Sequence, residues 1–390
     1  MEGWTASTLE NACDMYQPKT ITANEMTPIG RYPVYGANGV IGRYDQFNHE
    51  EPQLLITCRG ATCGSVNVSA PQAWITGNAM VVRPKTPAIE LRFLEYLFRG
   101  GLDISRAITG AAQPQITRAN LNPIKFRYPI SIPEQRRIVA VLDEAFEGIA
   151  TAKVNTEKNL QSARALFDSN LEALFEQGRG SGWPQRTLRE IAVDFGRGKS
   201  KHRPRNDPKL YGGHYPFIQT GDVRNAEHLI TEYTQTYSEA GLSQSKLWPK
   251  GTLCITIAAN IAETGVLGFD ACFPDSLIGV VVDGSKTTSK YLEYMLRTVK
   301  AALKAKGKGS AQDNINLATF ENERFPFPDL TTQASMVGLL DELSSEVQRL
   351  EGVYSMKLSA LDALKKSLLY QAFTGALTAE STDKQLEAVA

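Results

Sequence analysis

Four histidines, His49, His202, His214 and His228, are the only imidazoles in the chain, and none stands in H-E-x-x-H or another metal-ligand spacing. Metal-assisted hydrolysis is therefore not expected, and no metal or cofactor is assigned to the chain itself. Residues 193–200 end in Gly198-Lys199-Ser200 like a phosphate-binding loop, yet Val193 stands where the first glycine must bend the backbone around phosphate. Phe195-Gly196-Arg197-Gly198 matches part of a cofactor-binding glycine loop, and Asn122-Pro123 part of an adenine methyltransferase motif; both lack the remaining residues. Pro274-Asp275, Asp283 and Lys286 approach a metal-dependent nuclease core, but Lys286 is one residue too far along a strand, where period 2 aims it at the opposite face. Cys58-x4-Cys63 has no histidine nearby in sequence to lower a thiol pKa, so a turn with two free thiols is expected.

The remaining chemistry is cationic. Arg197, Lys199, Lys201, Arg203, Arg205 and Lys209 lie within thirteen residues, opposed only by Asp207, and Lys300, Lys304, Lys306 and Lys308 form a second cluster. The whole chain is neutral, with 42 basic and 42 acidic residues, but the balance hides alternating blocks. Residues 1–130 carry +2, 131–182 carry −2, 183–328 carry +4 and 329–390 carry −4.

These residues sit in a chain that repeats itself. Gly3-Trp4 with Thr8-Leu9 returns as Gly182-Trp183 with Thr187-Leu188, at an offset of 179. Leu55-Ile56-Thr57 returns as Cys254-Ile255-Thr256, Leu94-Glu95-Tyr96 as Leu292-Glu293-Tyr294, and Leu142-Asp143-Glu144 as Leu340-Asp341-Glu342, at offsets of 198 or 199. The second copy therefore gains about twenty residues between 183 and 255, a window that contains the basic stretch.

Each copy begins with short apolar runs, at 53–58, 80–83, 252–258 and 278–282, separated by Gly, Pro and Asn, which predict strands and turns. Short helices are predicted at 91–98 and 289–303. After Pro129 and Pro328 the apolar residues advance in steps of three and four, the stripe of a long helix of roughly forty residues spanning about 60 Å. Ile138, Leu142 and Ile149 in the first stripe, and Leu340, Val347 and Leu350 in the second, are the residues expected to dock each helix onto a partner helix.

The expected fold is α+β: two similar mixed α/β globular domains separated by two long helices that pair as an antiparallel coiled coil, with an internal pseudo-two-fold repeat. The domains are 1–130 and 183–328, the helices 131–182 and 329–378, and the tail 379–390 is expected to be flexible. Two independent helical hairpins, broken at Gly148, Asn155 and Gly352, are the alternative. At 390 residues, 42% hydrophobic and 22% charged, the composition is that of a folded globular protein. The absence of a long apolar run or leader-like N-terminus, with five cysteines in no paired motif, predicts a cytoplasmic location.

The order of these motifs resembles the specificity subunit of type I DNA restriction-modification systems. The carrying residues are the two Gly-Trp openings, Tyr215-Pro216-Phe217-Ile218-Gln219-Thr220-Gly221-Asp222-Val223, Gly309-Ser310-Ala311-Gln312 with its partner Gly110-Ala111-Ala112-Gln113, and Pro133-Glu134-Gln135-Arg136-Arg137-Ile138 at the first long helix. The second copy departs at Thr331-Thr332-Gln333-Ala334, which lacks the Pro and Glu before the Gln.

The resemblance implies two target-recognition domains, each reading one half of a split, asymmetric double-stranded DNA target. It implies a chain without catalytic activity, partnered by two methyltransferase subunits that carry S-adenosylmethionine and by motor-nuclease subunits. Side chains suited to base edges or phosphates are Asn38, Arg59, Gln115 and Arg118 in the first domain. In the second they are Lys199, Lys201, Arg203, Arg205, Gln219, Arg224, Asn260 and Asn314. Gln113 and Gln312, present in both copies, are read as scaffold. Two rival functions are a stand-alone DNA-modifying enzyme, which would bind S-adenosylmethionine or cut DNA alone, and a coiled-coil interaction scaffold, which would ignore DNA.

If the helices act as a spacer, their length sets the gap between half-sites. Inserting four residues near Thr156 keeps the stripe in approximate register and adds about 6 Å, against about 3.4 Å per base pair of duplex, so the preferred spacer should lengthen by one or two base pairs. Inserting two rotates the stripe by about 200° and should disrupt pairing. Methylome sequencing of a host expressing each variant with its partners reads this out; a four-residue variant that stays active on the original spacer makes the helices a tether only.

Overall fold

The computed structural model describes residues 3–36, 38–110, 112–202, 204–257, 262–307 and 317–378. The expected sites Arg203, Asn260 and Asn314, the segment 309–312 and the tail 379–390 lie outside the described residues. The long helices are Ile132–Gly180 and Leu330–Thr374. Both run through their interior glycines, Gly148 in the first and Gly338 and Gly352 in the second, so the hairpin alternative fails. The chain divides into two compact units: Met1–Lys158 with Tyr354–Ala390, and Asn159–Val353. Each unit thus takes half of each helix, a different division from the four consecutive segments expected, because the helix halves complete the cores of the globular domains.

In the first unit an antiparallel sheet runs in the order Cys13–Tyr16, Ala79–Pro84, Leu54–Thr57, Val66–Val68. The strand at 54–57 is buried on both faces, which explains its unbroken apolar run. Leu54 and Ile56 join the core with Phe93, Leu94, Ile138, Leu142, Leu369 and Ala372, while Leu55 joins Ile75, Ala79 and Val81 on the opposite face. Each fully buried aliphatic or aromatic side chain contributes on the order of 1.5–3 kcal/mol. The helix expected at 91–98 is Leu91–Tyr96, followed by a wider turn over Leu97–Gly101. Gly101 lies so near the second long helix that a Cβ there would be 2.4 Å from the Phe373 ring.

The second unit repeats this plan with additions. Ala192–Arg197, Leu277–Val282, Leu253–Thr256 and Thr264–Leu267 reproduce the four-stranded order, and Leu229–Ile230 extends it to five strands. A second sheet, Gln235–Tyr237, Tyr211–Phe217, Ala271–Cys272 and Leu247–Trp248, has one strand more than its three-stranded counterpart of Gly39–Tyr44, Tyr32–Gly36 and Trp74–Ile75. Both added strands follow Phe217. The extra length of the second copy therefore builds sheet edges beyond the basic stretch, which corrects the reading of that stretch as part of the insertion. Leu253 and Ile255 pack with Phe167, Leu171, Phe175, Met336, Leu340 and Val347.

The long helices pair inside each unit. In the first, Lys153 pairs with Asp362, and Arg137 donates to the Thr378 carbonyl at 2.9 Å, so sixteen residues up one helix match sixteen down the other, the antiparallel register. In the second unit Arg164 lies 2.5 Å from Glu351. The second helix starts without the Pro-Glu pair because Asp329 caps it, accepting from the Thr332 amide at 2.8 Å and hydroxyl at 3.0 Å.

A second attachment occurs twice. Gln135 is fully buried, donates to the carbonyls of Ala88 and Pro129 at 2.8 Å each, and accepts from the Glu90 amide at 2.8 Å. Gln333, 1% exposed, donates to the carbonyls of Lys286 at 2.9 Å and Pro328 at 2.8 Å, and accepts from the Thr287 hydroxyl at 2.8 Å. Two turns further on, Asp143 accepts from Tyr96 and from Arg92 at 2.7 Å. Asp341 likewise accepts from Tyr294 at 2.8 Å and Lys290 at 2.6 Å. Burial first, then the bond to Asp143, pushes the Tyr96 hydroxyl up to about 12.

Gln333→Leu should leave the buried Pro328 carbonyl, the part-buried Lys286 carbonyl and the buried Thr287 hydroxyl without this partner, at a cost of about 2–4 kcal/mol. The expected result is a lower urea midpoint for the second unit, followed by tryptophan fluorescence. An unchanged unfolding profile would remove the glutamine from the account of how the helix is held.

Candidate nucleic-acid interface

The basic stretch begins where Ala192–Arg197 ends. Gly198 presses against the 273–277 turn: its amide donates to the Leu277 carbonyl at 2.9 Å, and a Cβ would lie 2.3 Å from the Phe273 carbonyl oxygen. Glycine is required there for close approach, and no helix follows Ser200, so Gly198-Lys199-Ser200 is not a phosphate-binding loop. Lys199 donates its amide to the Phe273 carbonyl at 3.1 Å, and the loop then leaves the sheet.

The five described cations of this stretch do different work. Arg205 Nη2 lies 3.0 Å from both carboxylate oxygens of Asp275, and Arg197 Nε donates to the Asp275 carbonyl at 2.7 Å. Lys209 Nζ sits 3.2 Å from Asp207, which also meets His202 Nε2 at 2.8 Å. The Lys209 amide, with His202 and the Lys209 ammonium, holds the Asp207 carboxyl below the usual carboxylate range. Lys199 and Lys201 are exposed and have no carboxylate partner among the described residues. Among the described residues their charge is the part of the stretch available to an external anion.

Arg205 and Gln219 meet across a small hollow of about 230 Å³, also lined by Ser200, Tyr211, Phe217 and Thr220. Its aromatic wall is a packed cluster of rings. Phe217 and Tyr237 stack with centroids 4.0 Å apart, Tyr211 lies 5.3 Å from Tyr237, and the Tyr211 hydroxyl donates to the Arg205 carbonyl at 2.7 Å. Gln219 precedes the short helix Thr220–Asn225, where Asp222 accepts the Gln219 amide at 2.8 Å, and its Nε2 donates to Gln235 Oε1 at 2.6 Å. Arg224, at the far end of that helix, instead lines a cavity of about 770 Å³ beside the long helices. Other cations of that cavity are already paired, Arg297 with Asp168 at 2.7 Å and Lys300 with Glu263 at 2.5 Å. Beneath them Glu293 meets His228, and burial raises the Glu293 carboxyl above its ordinary value.

In the first domain Arg59 and Gln115 form an antiparallel bridge, and exposed Arg118 opens the short helix Arg118–Leu121. Asn38 is exposed in the turn between Tyr32–Gly36 and Gly39–Tyr44, on a different sheet. Three of the four residues expected here thus share one neighbourhood. Sequence spacing could not reveal Asp275 and Gln235, which orient Arg205 and Gln219 from 70 and 16 residues away.

The other motifs resolve structurally. Asp275 is spent on Arg205, and Asp283, brought down to about 2 by the Ser285 hydroxyl and Lys286, caps a turn, so the two carboxylates do not form a nuclease centre. All five cysteines are free, and burial pushes the thiols of Cys58 and Cys63 up. Among the described residues no cluster of His, Cys, Asp and Glu could hold a metal, and no helix is long and apolar enough to cross a membrane.

Of the six residues expected to dock the helices, Ile138, Leu142, Leu340 and Val347 lie in the two main cores. Leu350 packs against the second core, and Ile149 is 6% exposed. These side chains face this chain's own domains and helices. Val154, Met356, Leu364 and Tyr370 in the first unit, and Leu166 and Leu339 in the second, remain exposed on the long helices.

A duplicated sheet domain, each copy closed by halves of both long helices, with a basic loop in the second copy and a backbone bridge between Arg59 and Gln115 in the first, defines a modular two-domain protein. The type I restriction modification DNA specificity domain matches residues 1–161 and again 180–353, and the chain belongs to this family. It is 23% identical over 365 residues to the StySPI type I restriction enzyme specificity subunit of Salmonella potsdam, spanning 88% of this chain and 73% of that protein. It is 31% identical over 140 residues to the EcoprrI specificity subunit of Escherichia coli, spanning 36% of this chain and 34% of that one. A structure from a study of complex assembly and conformational transition of the type I R-M system superposes with a TM-score of 0.79 at 19% identity, covering 97% of this chain and 99% of that one. The HsdS subunit of Thermoanaerobacter tengcongensis superposes at 0.62 with 18% identity, covering 96% and 98%.

Replacing Lys199 and Lys201 by Ala should lower the slope of log K against log salt by roughly 0.9 for each phosphate no longer neutralised, about two in all, for every DNA sequence alike. Lys209→Ala, which removes a cation already paired with Asp207, should change it by less than about half a unit. Anisotropy titrations of the assembled complex across a salt series give the slopes; equal slopes for wild type and the Lys199/Lys201 variant would reject a phosphate-binding role for the two lysines.

Proposed function

We propose that this chain is the DNA-specificity subunit of a type I restriction-modification complex, with each recognition domain reading one half of a bipartite, asymmetric target. The observation that carries this reading is the repeated unit: one sheet domain joined to one long helix, occurring twice, with the family's domain matching each copy. In this reading the chain is not itself an enzyme. Two methyltransferase subunits bring S-adenosylmethionine, motor-nuclease subunits bring translocation and cleavage, and the complex works in the cytoplasm. Apolar side chains left exposed on the long helices, such as Met356 and Tyr370, suit docking of the methyltransferase subunits. A neutral overall charge suits a shared interface in which partners supply part of the phosphate contact.

Each domain has a buried core separate from the other's, closed by its own halves of the two long helices, so the two should be exchangeable where the helix-facing residues are kept. Replacing residues 1–130 by the corresponding segment of a relative should change one half of the methylated sequence and leave the other half and the spacer intact. Methylome sequencing of a host carrying the chimera with its partners decides the point. A change in both halves would mean that the domains do not read independently.

A further inference from the structure

We propose that the hollow between Arg205 and Gln219 is a base-reading site of the second domain, with Arg205 selecting a guanine and Gln219 an adenine at neighbouring base pairs. The inference rests on the proposed DNA-specificity function and adds to it the residues and bases of one half-site. Reading a base edge demands a planar, bidentate group whose orientation is set before DNA arrives, since a mobile side chain loses entropy on docking. Both groups meet that demand. Asp275 engages Arg205 through Nη2 alone, so Nη1 beside it can form, with the second N–H of Nη2, the end edge of the guanidinium that fits the O6 and N7 acceptors of guanine. Asp275 is in turn held by Arg197, which grips its carbonyl, while the Tyr211 hydroxyl grips the carbonyl of Arg205. Gln235 fixes the amide plane of Gln219 using one of its two N–H groups. An amide so held offers the donor and acceptor pattern that fits N7 and N6 of adenine.

The placement separates this pair from phosphate-binding cations. Lys199 and Lys201 lie exposed without carboxylate partners among the described residues, as suits contact with a diffuse backbone charge, whereas Arg205 has part of its charge balanced by Asp275. A balanced arginine adds little to general attraction and keeps its hydrogen-bond geometry. Both readers line one hollow of about 230 Å³.

The test uses the complete complex, assembled with its methyltransferase subunits, on duplexes carrying the wild-type methylated target and every single base-pair change in the half-site of the second domain. Arg205→Lys keeps the charge and loses the fork; Arg205→Ala loses both; Gln219→Ala removes the amide. Each should weaken the cognate duplex about ten- to a hundred-fold. Each should also abolish discrimination at one base pair only, a G·C pair for Arg205 and a neighbouring A·T pair for Gln219. The salt slope should stay within about half a unit of wild type, and discrimination in the other half-site should be unchanged. Asp275→Asn should weaken the same G·C preference without affecting the A·T pair.

A uniform loss across all duplexes with a salt slope reduced by about one would make Arg205 a phosphate contact and overturn the proposal, as would full specificity in Arg205→Lys. Loss of specificity at an A·T pair in the Arg205 variants, or at a G·C pair in Gln219→Ala, would overturn the base assignment. A wild-type complex that neither binds nor methylates any sequence selectively would instead overturn the proposed function on which the inference stands.

Discussion

The buried glutamine at the start of each long helix is the constraint on which the rest of the structure depends. Where the last strand of a domain leads into the helix, the backbone carbonyls of Pro129 and Pro328 are removed from water, and a neighbouring loop brings the part-buried carbonyls of Ala88 and Lys286 to the same side chain. An unpaired buried carbonyl costs about 1–3 kcal/mol. One glutamine amide satisfies two of them at once, and its own oxygen is consumed by Glu90 in the first copy and Thr287 in the second. A group with both donors and its acceptor engaged has one orientation available. The helix therefore leaves each domain at a fixed angle, which the Tyr–Asp pair two turns later reinforces.

That fixed departure gives the function its geometry. A recognition domain that pivoted freely on its helix could read bases but could not hold them in phase with anything else attached to the helix. Substitution of Arg92 by Lys290 between the copies preserves the cation on the aspartate, while the loops facing away from the helices differ freely. The division of labour follows from packing. Contacts among sheet, short helix and long helix must be the same in both domains because they solve the same burial problem. The distal loops meet only solvent or ligand and are free to diverge.

The distal side of the second domain shows how a neutral chain can carry a basic surface. Six cations in thirteen residues look like one feature in the sequence, yet Asp275 and Asp207 divide the five described ones into groups with different capacities. Long flexible cations without a partner attract anions generally. Those held by a carboxylate give up part of their field in exchange for a defined orientation.

Much of the architecture was legible in the sequence. The repeat offsets of 198 and 199 map strands 54–57 and 79–84 onto 253–256 and 277–282, and the three-four stripe located both long helices to within a few residues. These signals survive because periodicity and burial are local consequences of helix and strand geometry. The helix pairing was legible for the same reason. Other features needed the tertiary structure. The extra length of the second copy forms the edge strands Leu229–Ile230 and Leu247–Trp248, because a residue count gives the size of an insertion and hydrogen bonding decides which sheet receives it. The compact units cut across the helices, because a helix stripe shows that a face is buried without showing what buries it. Arg205 came to rest on Asp275 and Gln219 on Gln235, while Arg224 faced another cavity, because the partners of a charged or amide side chain are set by chain crossings with no periodic trace. The sequence by itself determined which elements form and that they form twice; only the folded chain decided which polar groups face one another, since backbone periodicity acts over a few residues and side-chain pairing acts across any separation the fold brings together.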